Sequence, residues 1–121
     1  MIHPKERAQA YQAYTVKLKG STFIRYAGLL TLAHEKGQLS MATELVTLDR
    51  DTGFVLFKAT ASVTLKDGST VSFSGYGDAS PKNVGKMIAP HLIRMAETRA
   101  KARALRDLVG CPFTAIEELQ Q

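Results

Sequence analysis

The hydrophobic pattern of this chain changes period along its length, and the changes divide it into elements. Residues 13–20, AYTVKLKG, alternate with Tyr14, Val16 and Leu18 on one side, which predicts a short strand. The segment FIRYAGLLTLAHEKG has a different rhythm. Phe23, Ala27, Leu30 and Ala33 or His34 recur at three and four, the spacing of one buried helix face, with Ser21 or Thr22 as the cap and Gly37 as the stop. The period then drops to two. MATELVTLD (41–49) reads as a strand and RDTG (50–53) as a turn. In FVLFKATASVTL (54–65), Val55, Phe57, Ala59, Ala61, Val63 and Leu65 point one way and the polar residues the other. KDGS (66–69) holds the Asp-Gly pair of tight hairpins, and TVSFSGYG (70–77) continues with Val71 and Phe73 inward.

After the polar loop DASPKNVGK (78–86) the helical period returns. Pro90 suits the first turn of a long helix, Gly110 its end, and Pro112 blocks continuation. The predicted fold is α+β: an antiparallel three- to four-stranded meander packed against a long basic helix, with a short preceding helix. It forms one domain over 1–121, with 1–11 and 113–121 peripheral. The chain's length supports a core without covalent staples, and 45% hydrophobic against 22% charged residues argues against disorder. The single cysteine, Cys111, allows no internal disulfide. No apolar run approaches the roughly 20 residues that span a bilayer, and the polar N-terminus has no signal-peptide core. A setting in the cytoplasm or nucleoid is therefore expected, with no membrane partner.

Charge sharpens the picture by its placement. Net charge is +5, yet residues 82–106 carry seven basic side chains against Glu97 alone. A clustered positive field focuses phosphate, whereas scattered charge mainly aids solubility. On the helix HLIRMAETRAKARALR, Arg99, Arg103 and Arg106 fall on one stripe, and Lys101 and Arg94 on another side. Between them Ile93, Ala96, Ala100 and Ala104 form a small-residue seam for close packing against a sheet. The three stripe arginines are expected to repel one another along that face. Their planar donor forks suit phosphate oxygens.

Other chemistries fit less well. Gly85-Lys86 is followed by Met87, so the glycine-rich loop is not a triphosphate cradle. His3, His34 and His91 have no ligand spacing, and no metal or cofactor is expected. Cys111 follows a helix C-terminus, where the dipole disfavours a thiolate. Asp49, Asp51, Asp67 and Asp78 sit mainly at turns. Tyr76 and Tyr26 are the aromatic candidates for stacking, or core residues.

The strand–strand–strand–helix order, the GYG at 75–77 and KARALRDLVG at 101–110 together resemble the Rad fifty-two superfamily of single-strand annealing proteins, in particular the bacterial and phage DdrA-like group. The likeness runs from about Val16 to Val109. It implies a homo-oligomeric ring or helical array that binds single-stranded DNA in a positive groove and anneals complementary strands without ATP or covalent chemistry. Arg103 and Arg106 match basic groove residues of the family, Arg94 falls where a basic helix residue is common, and Tyr76 matches the tyrosine of the Gly-Tyr-Gly turn. Two positions depart from the eukaryotic members. Ala102 replaces a groove lysine, and Gly28 replaces an arginine for which Arg25 is the nearest substitute.

The expectation is thus a non-enzymatic, non-sequence-specific DNA-binding protein for annealing or end protection, with recombination or repair proteins as further partners. Arg99, Arg103 and Arg106 contact phosphates, Lys82, Lys86, Arg94 and Lys101 extend the path, and Arg25 and Tyr76 complete it. The competing expectations are an oligomeric adaptor whose basic helix docks an acidic protein, and a metal-dependent nuclease.

Overall fold

The computed structural model describes residues 11–84 and 91–119. The fold is α+β. A small antiparallel hairpin, β1 (Thr15–Leu18) and β2 (Ser21–Ile24), leads into helix α1 (Tyr26–Lys36). A three-stranded antiparallel sheet follows, β3 (Gln38–Asp49), β4 (Phe54–Thr64) and β5 (Thr70–Ala79), in the order β3-β4-β5. Helix α2 (Leu92–Val109) lies across one face of the sheet, and a 3-10 turn (Ile116–Glu118) closes the described chain. No described helix is long and apolar enough to cross a membrane.

The sheet follows its two-residue period. Val55, Phe57, Ala59, Ala61 and Val63 of β4 are all buried on the helix side, as expected. The other face is wet. Cross-strand hydroxyl pairs line it, Thr60 with Ser74 at 3.1 Å and Ser62 with Ser72 at 2.7 Å. Val71 and Phe73 lie on the helix side by register, opposite Val63 and Ala61, yet both remain 38% exposed. The helix covers only the other end of β5, where Gly75, Gly77 and Ala79 are buried.

That coverage depends on small residues on both sides. Ala96, Ala100 and Ala104 are fully buried. A Cβ added at Gly75 would lie 2.6 Å from the Ala104 nitrogen, and one at Gly77 would overlap the Ala100 nitrogen and the Ala96 oxygen. The expected alanine seam is present, but Ile93 does not belong to it and is exposed. Gly110 ends α2 in the left-handed conformation (φ 69°), and the Cys111 N–H returns to the Arg106 oxygen at 2.9 Å. Pro90, the expected first-turn proline, lies outside the described residues.

The N-terminal third departs from the sequence pattern. Ser21 and Thr22 do not cap a helix; they pair with Leu18 and Lys17 in the hairpin. Helix α1 begins at Tyr26, and its buried face is Gly28, Leu29, Leu32 and Ala33, so of the expected face only Ala33 is buried. The reason is tertiary. Arg25 has extended backbone and gives no side-chain cap, and the Tyr26 N–H is satisfied by Glu117 Oε1 at 2.8 Å. The cap comes from the far end of the chain.

The segment after α2 is likewise not peripheral. Ala115 is fully buried and bridged to Ile24, and the Ile24 N–H donates to the Thr114 oxygen at 3.0 Å. Tyr11, placed in the expected tail, is buried and donates through its hydroxyl to the Gly110 oxygen at 2.9 Å.

Candidate nucleic-acid interface

Helix α2 separates the basic residues into two flanks. At about 100° per residue, Arg94 and Lys101 lie roughly half a turn from the Arg99–Arg103–Arg106 stripe. Thr43 of β3 donates to Glu97 at 2.8 Å, which places the Glu97 side of the helix toward β3. The stripe faces the other way, toward β5 and the 113–119 segment.

The stripe itself divides by burial. Arg99 is only 7% exposed. Its Nε donates to the Glu118 carbonyl oxygen at 2.9 Å, its Nη1 to the Asp78 oxygen at 2.8 Å and to Asn83 Oδ1 at 3.2 Å, and its Nη2 to the Asn83 oxygen at 3.3 Å. Burial lowers its pKa, as does neighbouring Arg103, while Asp78 and Glu118 oppose them. The expectation that Arg99 contacts phosphate is therefore corrected. Its donors are spent on tying the 80–84 loop, the end of β5 and the C-terminal turn to α2. Through Asn83, this tie holds exposed Lys82 on the same flank.

Arg103 is a surface residue with a fixed side chain, 41% exposed. Its Nε donates to Glu118 Oε1 at 3.1 Å and its Nη1 to the Tyr76 carbonyl oxygen at 2.9 Å, with Asp78 Oδ1 3.8 Å away. Its Nη2 makes no hydrogen bond among the described residues. Arg106 reaches Glu118 Oε2 at 4.0 Å, and its buried Nε has no partner there either. Glu118 also accepts from the Ala115 N–H at 3.0 Å. One buried carboxylate thus stands against two arginines, leaving donor capacity at the surface. Sequence spacing suggested unrelieved repulsion along this stripe; Glu118 supplies the relief.

Tyr76 projects from the opposite side of β5, 53% exposed, directly across from Lys58. Arg103 and Tyr76 therefore flank one stretch of the β5 edge. Arg94 is exposed and Lys101 half-buried on the other flank of α2. Arg25 is exposed beside the capping contact of α1, and Lys86 lies outside the described residues.

Sequence reasoning passed over Glu118, Asn83 and Lys58. A signal existed for Glu118. A chain stopped at Gly110 and Pro112 turns back, and the acid pair Glu117–Glu118 is then the nearest counter-charge for a basic helix. Among the described residues no group of three His, Cys, Asp or Glu side chains could hold a metal ion. Compared with known proteins, the chain matches no family model and no curated protein.

Proposed function

We propose that this protein binds single-stranded DNA without sequence specificity and, as a homo-oligomer, anneals complementary strands or protects ends, in the manner of the Rad fifty-two superfamily relatives it resembles. The observation that carries the reading is the open Nη2 edge of Arg103, held by the Tyr76 carbonyl on the helix side of the β5 edge, with the exposed Tyr76 ring on the other side. A guanidinium already fixed by Glu118 and by the Tyr76 carbonyl loses little rotamer freedom when it takes a phosphate. The exposed Tyr76 ring, across the strand edge, offers an unpaired base a stacking surface. Arg106 and Lys82 extend the path on the same flank, and Arg99 positions it. Such a role belongs with the cell's DNA, in the cytoplasm or nucleoid.

The test is fluorescence anisotropy with labelled oligo-dT across a salt series. Binding is expected to weaken steeply with salt, because phosphate contacts release counterions. Arg103→Ala is expected to lower the salt slope by roughly one unit. Tyr76→Ala is expected to weaken binding with the slope unchanged. Arg94→Ala, on the other flank, is expected to change neither. Mixing complementary labelled strands without ATP then reads annealing. An Arg103→Glu variant with unaltered affinity and slope would remove the site assignment. No binding at physiological salt would leave the arginine flank as a dock for an acidic protein.

A further inference from the structure

The sheet has two outer strands, β3 and β5, and α2 caps one of them in part. The Leu65 N–H donates to the Ser69 oxygen at 2.8 Å, which fixes the alternation of the β4–β5 ladder beyond it. The main-chain groups of Val71, Phe73, Gly75 and Gly77 turn toward β4, and those of Thr70, Ser72, Ser74, Tyr76 and Asp78 turn outward. Two of these outward carbonyls are occupied: Arg103 Nη1 takes that of Tyr76 at 2.9 Å, and Arg99 Nη1 that of Asp78 at 2.8 Å. The arginines block strand addition along the upper half of the edge and leave Thr70–Ser74 open.

The open half is bordered by exposed Val71 and Phe73. Beside it a cavity of about 240 Å³ is lined by Lys36, Val63, Leu65, Val71 and Leu108. An unpaired edge next to a side-chain-sized recess is the arrangement of a strand-addition site.

We propose that the Thr70–Ser74 edge receives strand β3 of a second copy of this chain. Strand β3 has the features such an occupant needs. It is the other outer strand of the sheet, and its far end exposes Leu45, Val46 and Leu48 around the bulge between Leu45 and Thr47. Leu45 and Leu48 lie opposite buried Phe57 and Val55, so they share the helix-side face with Val71 and Phe73. Leu45 lies level with Gly77 and Val71 level with Leu39, so a continuous sheet with aligned faces sets the two exposed apolar groups side by side when the second copy is staggered by about six residues along the strands. Strands β3 and β5 both run antiparallel to β4, so the new pair is parallel. The contact is heterologous and repeats from copy to copy. The inference rests on the homo-oligomeric part of the proposed function and is independent of the nucleic-acid part.

Ser72→Pro removes an outward N–H that pairs with nothing among the described residues, a place where an edge strand tolerates proline. Ser74→Pro does the same one step along, should the first variant fold poorly by circular dichroism. Val46→Lys places a charge at the bulge of β3. By size-exclusion chromatography with light scattering, the unaltered chain is expected to be larger than a dimer. Each folded variant is expected to be a monomer, and an equal mixture of Ser72→Pro and Val46→Lys a dimer and no larger, because each keeps one working edge. A monomeric unaltered chain overturns the homo-oligomeric reading itself. An oligomeric chain whose size survives folded Ser72→Pro or Ser74→Pro overturns this interface alone, as does a mixture that stays monomeric. Oligo-dT titration of the monomeric variants reads the nucleic-acid site separately.

Discussion

Arg99 Nε donates to the carbonyl oxygen of Glu118 at 2.9 Å, joining the middle of α2 to a turn 19 residues later. The same guanidinium holds Asp78 and Asn83, which the Asn83 amide also ties together by donating to Asp78 Oδ2 at 3.0 Å, so one side chain fastens this loop and the C-terminal turn to α2. Arg99→Ala is expected to destabilise the fold by about 2–4 kcal/mol, since it takes the donor from the buried Glu118 carbonyl and from part-buried acceptors on Asp78 and Asn83 at once. Arg99→Lys is expected to recover little, because an ammonium does not reproduce a planar fork. Urea unfolding of both variants, beside Arg103→Ala with a small effect, checks the division between a structural and a surface arginine.

The contact between α2 and β5 has no room for a side chain at Gly77. Gly77→Ala is expected to cost about 3 kcal/mol or more, because the clash is with helix backbone rather than with a movable side chain. Gly20→Ala provides a contrast. No atom lies within 4 Å of its added Cβ, and the strain comes only from its φ of 82°. Its cost is expected to be smaller. Thermal melts of the two variants give the comparison.

Two exposed turns carry a pH dependence. The Asp49 carboxyl is held below its ordinary value of 3.8 by the Asp51 N–H and by Thr52. Asp67 is held below it by the Ser69 hydroxyl, at 2.6 Å, and by the Ser69 N–H. A depressed folded-state pKa contributes stability that is present above the unfolded value and lost as pH falls through the folded one. Urea midpoints are therefore expected to drop on acidification below pH 3.8, and to drop less in the Asp49→Asn, Asp67→Asn double variant.

Cys111 is buried, and that burial raises its thiol pKa. Reaction with a thiol reagent near neutral pH is expected to be slow in the native chain and fast after denaturation. Equal rates in the two states would contradict the packing of the segment after α2.

The meander was legible because β4 alternates strictly and the turns hold Asp-Gly and Asp-Thr-Gly chemistry. Val55 to Val63 could be placed inward from period alone. The start of α1 was not legible, because its cap is Glu117 and no local pattern announces a cap so distant. Ser21 and Thr22 offered a local alternative that the hairpin overrode. The arginine stripe was legible as a stripe. Spacing says which side chains share a face, not what that face meets, so buried Arg99 and half-exposed Arg103 looked alike. The side of α2 that bears Arg94 and Lys101 was correctly set apart by the helical period.

The Tyr11 hydroxyl reaches the Gly110 oxygen across 99 positions, and Ile24 pairs with Thr114 and Ala115. On a ribosome, these partners emerge long after the hairpin and α1. Until residues 110–118 leave the exit tunnel, the hairpin and α1 lack the edge, the cap and the strap that complete them. The meander can close early on its short turns, but Arg99 must wait for Glu118. Emergence of residues 110–118 is therefore the step that locks these elements, and a truncation just after α2 would release a sheet with its basic flank unfastened.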